Sequence, residues 1–164
     1  MFSFNGWADE VKVVCEMEGS THHGKDWFDG HDTSEEKRLF LYWTFDDITN
    51  KFIELTMDGD GIDGSILRHY GGKGHTKIES NEKEIRIDVS YSSEDHPESS
   101  NVSIDTHDET VKLNRYVGKS YMNGNSQTVV TLNAWDDNPN NDLKWQYEHE
   151  WDLEGECILA KQKF

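Results

Sequence analysis

Two kinds of side chain alternate along residues 144–152, near the C-terminus of the chain. Successive side chains of a β-strand point to opposite faces of the sheet, so alternation in the sequence becomes a difference between faces. This segment therefore predicts a strand with aromatic rings and one histidine on one face and polar and acidic groups on the other. The odd positions are Trp145, Tyr147, His149 and Trp151, and the even positions are Gln146, Glu148, Glu150 and Asp152.

The aromatic face is a candidate ligand site. Trp145, Tyr147, His149 and Trp151 are predicted to line a barrel cavity or a sugar-stacking groove, together with Trp43 from another predicted strand. A core built from valine and leucine would need no histidine and would not favour three ring systems in seven residues. The alternative interpretation is ordinary core packing. If the protein is an enzyme, His149 is the candidate catalytic residue.

The opposite face carries a row of carboxylates. Glu148, Glu150 and Asp152 would lie about 6.6–7 Å apart along an extended strand. Such a row could imitate a nucleic-acid backbone and bind the cationic groove of a basic protein, with electrostatic steering of the encounter. The alternative is a solvated face of an acidic domain.

Metal ligands are concentrated in one predicted loop, residues 21–32. Imidazole and carboxylate groups suit a divalent metal, but their spacing matches no ordered motif, so a polar surface loop is the alternative. The aspartate-rich segment 58–64 lacks the ligand positions of an EF-hand. No motif in the chain requires a cofactor, and the Walker, dinucleotide and nucleophile-elbow patterns are missing. The candidate metal ligands are His22, His23, His31, Asp26 and Asp29.

The charge balance limits the partners. The chain has 16 basic and 33 acidic residues, a net charge of −17. Direct binding to nucleic acid or to an anionic membrane needs a cationic surface and is therefore not expected. A small molecule, a carbohydrate or a basic protein remains possible as the partner. The first residues resemble no signal peptide and no apolar run is long enough to span a bilayer, so a cytoplasmic location is expected.

The two cysteines, Cys15 and Cys157, lie in the first and the last predicted strands. Buried reduced thiols are the expectation for a cytoplasmic protein. The alternative is a disulfide between the two ends of the chain. Their separation fits no metal or redox motif.

Short segments with period-2 alternation, separated by turn residues, recur along the chain and predict an all-β fold. We expect one domain over residues 1–164, with about ten antiparallel strands in a meander barrel or a jelly-roll sandwich. One turn of helix is expected near residues 32–37, and Asn123-Gly124-Asn125 is interpreted as a connector. The expected strands include 11–17, 39–45, 53–57, 66–70, 85–89, 102–104, 111–113, 128–134, 143–152 and 156–163.

The start of the chain, Phe4-Asn5-Gly6-Trp7, followed by a β-meander, resembles lipocalin-like barrels of the calycin type. This resemblance implies an up-and-down barrel and extends to no other motif. Three functions are consistent with the sequence. They are a non-catalytic binding module for a small molecule or sugar, an acidic inhibitor or immunity-type protein, and a small β-barrel or jelly-roll enzyme.

Overall fold

Antiparallel strands make up one strongly curled, half-barrel sheet in the computed structural model of the protein. The structure describes residues 10–24, 33–59, 75–95, 101–132 and 143–160. No helix in this described part of the chain has the length and apolarity needed to cross a membrane. The eight strands are β1 (Glu10–His23), β2 (Thr33–Asp46), β3 (Phe52–Gly59), β4 (His75–Ser80), β5 (Glu84–Asp95), β6 (Asn101–Asn114), β7 (Lys119–Leu132) and β8 (Leu143–Leu159).

The sheet is a meander with one long-range closure. Its order is β3-β2-β1-β8-β7-β6-β5-β4, so the first and last strands pair at its centre. In the described residues β3 and β4 are the two edges. The prediction of a barrel-like, antiparallel all-β fold is confirmed, with eight strands rather than about ten. The segments Phe4-Asn5-Gly6-Trp7 and 66–70 lie outside the described residues, and the single domain over residues 1–164 stays a prediction.

The strand count is lower because long strands replace pairs of predicted short ones. Segments 102–104 and 111–113 are both parts of β6, and segment 143–152 and residues 156–159 of the last segment both belong to β8. Gly155 does not end a strand. A Cβ there would lie 2.0 Å from the backbone oxygen of Glu16, so glycine allows the backbones to approach closely where the sheet curls.

Three local predictions are wrong. Residues 33–37 form the start of β2 instead of a helical turn, because they pair with residues 19–23 of β1 and cross-strand pairing overrides weak local propensity. Asn123-Gly124-Asn125 lies within β7 and is not a connector. Alternation over segment 53–57 predicts that Ile53 shares a face with Leu55 and Met57. Ile53 is instead 48% exposed, since the register of β2 and β3 shifts at the Thr44/Phe45 step and Phe52 packs against the core in its place.

The apolar core fills one end of the half-barrel. Alternating residues of β1, β2, β5 and β6 bury their side chains as the period-2 pattern predicts. Towards the other end the buried side chains become polar, and they include Thr21, His107, Glu109 and His149. The apolar core is formed by Cys15, Met17, Leu39, Leu41, Trp43, Phe45, Leu55, Ile85, Ile87, Val89, Val111, Leu113, Met122, Trp151 and Leu153.

At the apolar end, the side chain of Arg115 joins three connections. Its guanidinium group donates hydrogen bonds to the Asp47 carboxylate, to Asn50 Oδ1 at 2.6 Å and to the Asn81 backbone oxygen at 2.6 Å. It also lies 4.5 Å from the centroid of the Phe45 ring, within cation–π range. We call this end of the half-barrel the closed end and the opposite one the open end.

Cys15 and Cys157 face each other across the β1–β8 pair and form a disulfide, with a Cα–Cα distance of 4.0 Å. The structure thus adopts the alternative to reduced thiols. The bond connects residues 142 positions apart. It therefore fixes the register of the long-range strand pairing directly.

Removal of this disulfide in a Cys15→Ala/Cys157→Ala variant is expected to lower the free energy of unfolding by about 5 kcal/mol, from the loop-closure entropy of so long a loop. For a domain of this size that is a fall in Tm on the order of 10–20 °C, measurable by calorimetry. The Tm of the wild type should fall on addition of dithiothreitol, and the Tm of the variant should not. Two titratable thiols in the wild type, unfolded without reductant, would contradict the disulfide.

Candidate functional site

The inner face of the open end brings together a group of polar and aromatic side chains, most of them buried. They come from three strands, because pairing of β8 with β1 on one side and with β7, then β6, on the other aligns their inward positions. We call this group the histidine–aromatic cluster. Its members are His23 of β1, His107 and Glu109 of β6, and Tyr147, His149 and Trp151 of β8.

Trp151 is 3% exposed, and its indole ring has room because the residue opposite it is a glycine. Its cross-strand partner on β7 is Gly124, where a Cβ would lie only 2.4 Å from Cζ2 of the indole. Because the ring extends over this glycine, it reaches the next strand. There its centroid lies 5.3 Å from the centroid of the His107 ring.

His149 lies between two other rings. It pairs with His23 across the β1–β8 ladder, and the two imidazole centroids are 4.1 Å apart in an edge-on arrangement. The ring of Tyr147 lies 4.1 Å away on the same strand. Tyr147 is 40% exposed whereas His149 is 5% exposed, so the tyrosine forms the solvent side of the cluster.

Two ring nitrogens of the cluster have no hydrogen-bond partner among the described residues. They are His107 Nε2 and Trp151 Nε1, both shielded from solvent. The carboxylate of Glu109 is 3.6 Å from His107 Nε2, which is beyond hydrogen-bond distance. Buried indole and imidazole nitrogens almost always have a partner, so two such atoms on neighbouring rings require an explanation.

Not all predicted ligand-binding residues join this cluster. Tyr147, His149 and Trp151 do. Trp43 lies in the apolar core, where its indole nitrogen donates to Ser120 Oγ at 3.3 Å. Trp145 belongs to β8, but its side chain is outside the part of the structure that is described. A catalytic role for His149 stays a prediction.

Sequence reasoning missed His107 and Glu109 as members. Their signal is present in the alternation of β6, because residues 107, 109, 111 and 113 share one face and Val111 and Leu113 are core residues. The prediction that 111–113 began a new strand hid this relation. His23 was a candidate only for metal binding.

The predicted metal ligands do not form a site in the described residues. His22 and His23 are neighbours on β1 and therefore point to opposite faces of the sheet. Asp26, Asp29 and His31 lie outside the described ranges. Within those ranges, no three His, Cys, Asp or Glu side chains are placed to hold a metal ion.

The predicted carboxylate row lies on the outer face. Glu148, Glu150 and Asp152 are all exposed, and Glu154 and Glu156 continue the row along β8. In the described residues, no basic side chain forms an ion pair with Glu150, Asp152, Glu154 or Glu156. These acids therefore form a line of negative charge on the outer face, and no ion pair within the described residues neutralises it.

A cleft of about 760 Å³ crosses this outer face at right angles to the strands. The strand register builds its two sides, because the same two outward positions of six strands are aligned side by side. We call it the outer groove. The outward-facing residues of one side are His22, Glu150, Asn125, Asp108, Ser90 and His75, and those of the other are Ser20, Asp152, Asn123, Thr110, Asp88 and Lys77. The intervening residues Thr76, Val89, Glu109, Gly124 and Trp151 also line the cleft.

The Asp88 carboxylate of the outer groove is hydrogen-bonded to two neighbouring side chains. Asp88 accepts hydrogen bonds from Arg86 Nε at 2.7 Å and from Thr110 Oγ1 at 2.7 Å. The interaction with the Arg86 guanidinium, followed by that with Thr110, lowers the pKa of the Asp88 carboxyl below its ordinary value, against the opposing effect of partial burial. Asp88 therefore supports the groove, while Glu150 and Asp152 remain available to a partner.

No protein-family model matches the chain, and no curated protein matches it significantly. The site must therefore be interpreted from its own geometry.

The substitution Asp88→Asn is expected to destabilise the protein at neutral pH. Because the pKa of Asp88 is lower in the folded state, its carboxylate stabilises the fold at pH values above the ordinary pKa. This contribution is lost as the pH falls through the lower, folded-state pKa. Urea unfolding of wild type and variant should thus differ most near pH 7 and converge in strong acid.

The matched control is Asp108→Asn, which removes an outer-groove carboxylate that has no ion pair in the described residues. Its effect at pH 7 should be smaller. If both variants lower the free energy of unfolding equally, the hydrogen bonds of Asp88 with Arg86 and Thr110 do not stabilise the fold.

Proposed function

We propose that the protein is a non-catalytic binding module that holds a small molecule or sugar at the histidine–aromatic cluster. The observation that carries this proposal is the pair of buried nitrogens on neighbouring rings, His107 Nε2 and Trp151 Nε1, for which the described part of the chain offers no hydrogen-bond partner. A buried polar group left without a partner costs about 1–3 kcal/mol. A bound ligand that hydrogen-bonds both atoms would recover that free energy.

The chemistry of the cluster defines what the ligand must offer. Trp151 Nε1 is only a donor, so the ligand supplies an acceptor oxygen or nitrogen there. His107 Nε2 accepts or donates according to its tautomer, so a hydroxyl group suits it in either state. The aromatic rings beside them provide apolar surface. A polyhydroxylated or oxygen-bearing ring compound meets these requirements.

The route to the nitrogens passes Tyr147. Because both atoms are shielded from solvent, a ligand must displace a side chain to reach them. Tyr147 is the exposed member of the cluster and contacts His149 by its ring edge. Rotation of Tyr147 and His149 would open the inner face without disturbing the apolar core at the closed end.

The test is titration with N-acetylglucosamine, glucose and 2-naphthol, followed through the indole N–H signals in ¹H–¹⁵N NMR spectra. We expect at least one compound to shift the Trp151 signal. Trp151→Phe keeps an aromatic ring but removes the donor, and should weaken that compound by about tenfold, the value of one net hydrogen bond.

The control is Trp43→Phe, which removes the buried hydrogen bond to Ser120. It should reduce stability and leave the affinity unchanged. Failure of all three compounds to perturb Trp151, or equal affinities for wild type and Trp151→Phe, would count against the proposed site.

A second candidate is the acidic protein that binds a basic partner. It is favoured by the outer groove, where Glu150 and Asp152 lie exposed, next to each other on one face of β8, without ion pairs in the described residues. A chain of cationic side chains laid across the strands would meet both. Electrostatic attraction of this kind accelerates association.

For this candidate, Glu150→Gln/Asp152→Asn is expected to slow association with an immobilised arginine-rich peptide several-fold, as measured by surface plasmon resonance. The wild-type affinity should also fall steeply with added salt. The control is Glu54→Gln, which removes one exposed acid on β3, away from the groove. If Glu54→Gln slows association with the peptide equally, the effect comes from the net charge of the protein and not from the outer groove.

A further inference from the structure

A second cavity, of about 470 Å³, lies at the closed end of the half-barrel. Inward-facing side chains of β1, β2, β6 and β8 give it apolar walls. Its volume falls within the range of about 300–1,000 Å³ that is usual for small-molecule sites. The wall residues are Val11, Val13, Phe45, Leu113 and Leu159.

This cavity is remote from the histidine–aromatic cluster. Leu159 and His149 lie on the same strand, ten positions apart, which corresponds to about 33 Å of extended chain. Core side chains that belong to neither site, among them Leu153 and Met17, occupy the inner face between the cavity and the cluster. A ligand at the closed end would therefore bind independently of one at the open end, so this inference does not rest on the proposed function.

Arg115 provides the cavity with a buried cation. Its side chain is only 9% exposed, and it lines the cavity beside Phe45 and Leu113. A guanidinium group has five N–H donors. Two on Nη1 bond to Asn50 and Asn81, and one on Nη2 bonds to Asp47. The Nε–H and the second Nη2–H have no partner among the described residues.

Two N–H donors of a guanidinium group match the two oxygens of a carboxylate or a related oxyanion. The neighbouring charges allow such a group, because Asp47 and Glu82 are balanced by Arg115 and Lys83 around the cavity. The local charge is thus neutral, although the whole chain carries −17. An anionic head group at Arg115 leaves an apolar tail in contact with the valine and leucine walls.

We infer that the closed-end cavity is a separate binding site for a small apolar molecule that carries one carboxylate or similar oxyanion. Arg115 binds the anionic group and the apolar walls bind the remainder. The three connections that Arg115 holds together form the rim of this site.

The experiment compares three probes of equal chain length: octanoate, 1-octanol and octylamine. Binding to the full chain is measured by isothermal titration calorimetry and by the Arg115 Nε–H signal in NMR spectra. We expect octanoate to bind and to shift that signal. Octanol should bind at least about tenfold more weakly, because it lacks the charge-assisted hydrogen bonds, and octylamine should not bind.

Two variants test the role of charge. Arg115→Lys keeps the positive charge but removes the paired N–H donors of the guanidinium group, so the octanoate affinity should fall at least about tenfold. Because this change could also loosen the connections, Asp47→Asn is the second test. It removes a competing negative charge while keeping an acceptor for Arg115, and should tighten octanoate binding by about tenfold.

Glu36→Gln is the control, because it removes an exposed acid of β2 opposite Ser20, away from the closed end, and it should leave octanoate binding unchanged. The inference is overturned if octanoate does not bind, if octanol binds as tightly as octanoate, or if Asp47→Asn leaves the octanoate affinity unaltered. None of these outcomes bears on the binding of sugars or naphthol at the open end.

Discussion

The pairing of the first strand with the last is the interaction on which the rest of the structure depends. β1 and β8 align eleven residue pairs, from Val13 with Leu159 to His23 with His149, and one of these pairs is the disulfide. Without it the chain would form a three-stranded and a five-stranded meander. Closing so long a loop is entropically costly, and the covalent bond removes much of that cost.

This pairing also creates the functional surfaces. On the inner face it places His23 against His149, and on the outer face it places His22 beside Glu150. Each surface thus contains residues from opposite ends of the chain. A shift of the register by one residue would exchange the two faces, moving the carboxylates inward and the rings outward. The disulfide at Cys15 fixes the register against such a shift.

Burial explains how the inner face is divided. The closed end has apolar residues, a buried arginine with several partners, and loops held together by hydrogen bonds. The open end buries the imidazole of His107 and the indole of Trp151, and the nitrogens His107 Nε2 and Trp151 Nε1 have no hydrogen-bond partner within the described residues. A buried polar group without a partner is unfavourable. This cost is the physical basis of the proposal that the open end binds a ligand.

The sequence predicted the parts that depend on local alternation. The faces of β1, β2 and β8 follow from period 2, and so does the separation of Glu150 from Trp151. The glycines were misleading, because the sequence pattern predicts turns at Gly124 and Gly155. Both lie inside strands, where the lack of a side chain lets neighbouring atoms approach the backbone closely. Arg115 was not predictable, since its partners Asp47, Asn50 and Asn81 come from two other connections and are joined to it only by the fold.

We propose that a ligand completes the hydrogen bonding of His107 and Trp151. A crystal structure of the protein with the compound that shifts the Trp151 indole signal would test this. We expect density for that compound within about 2.7–3.2 Å of both His107 Nε2 and Trp151 Nε1. A map in which protein atoms or water molecules alone satisfy both nitrogens would contradict it.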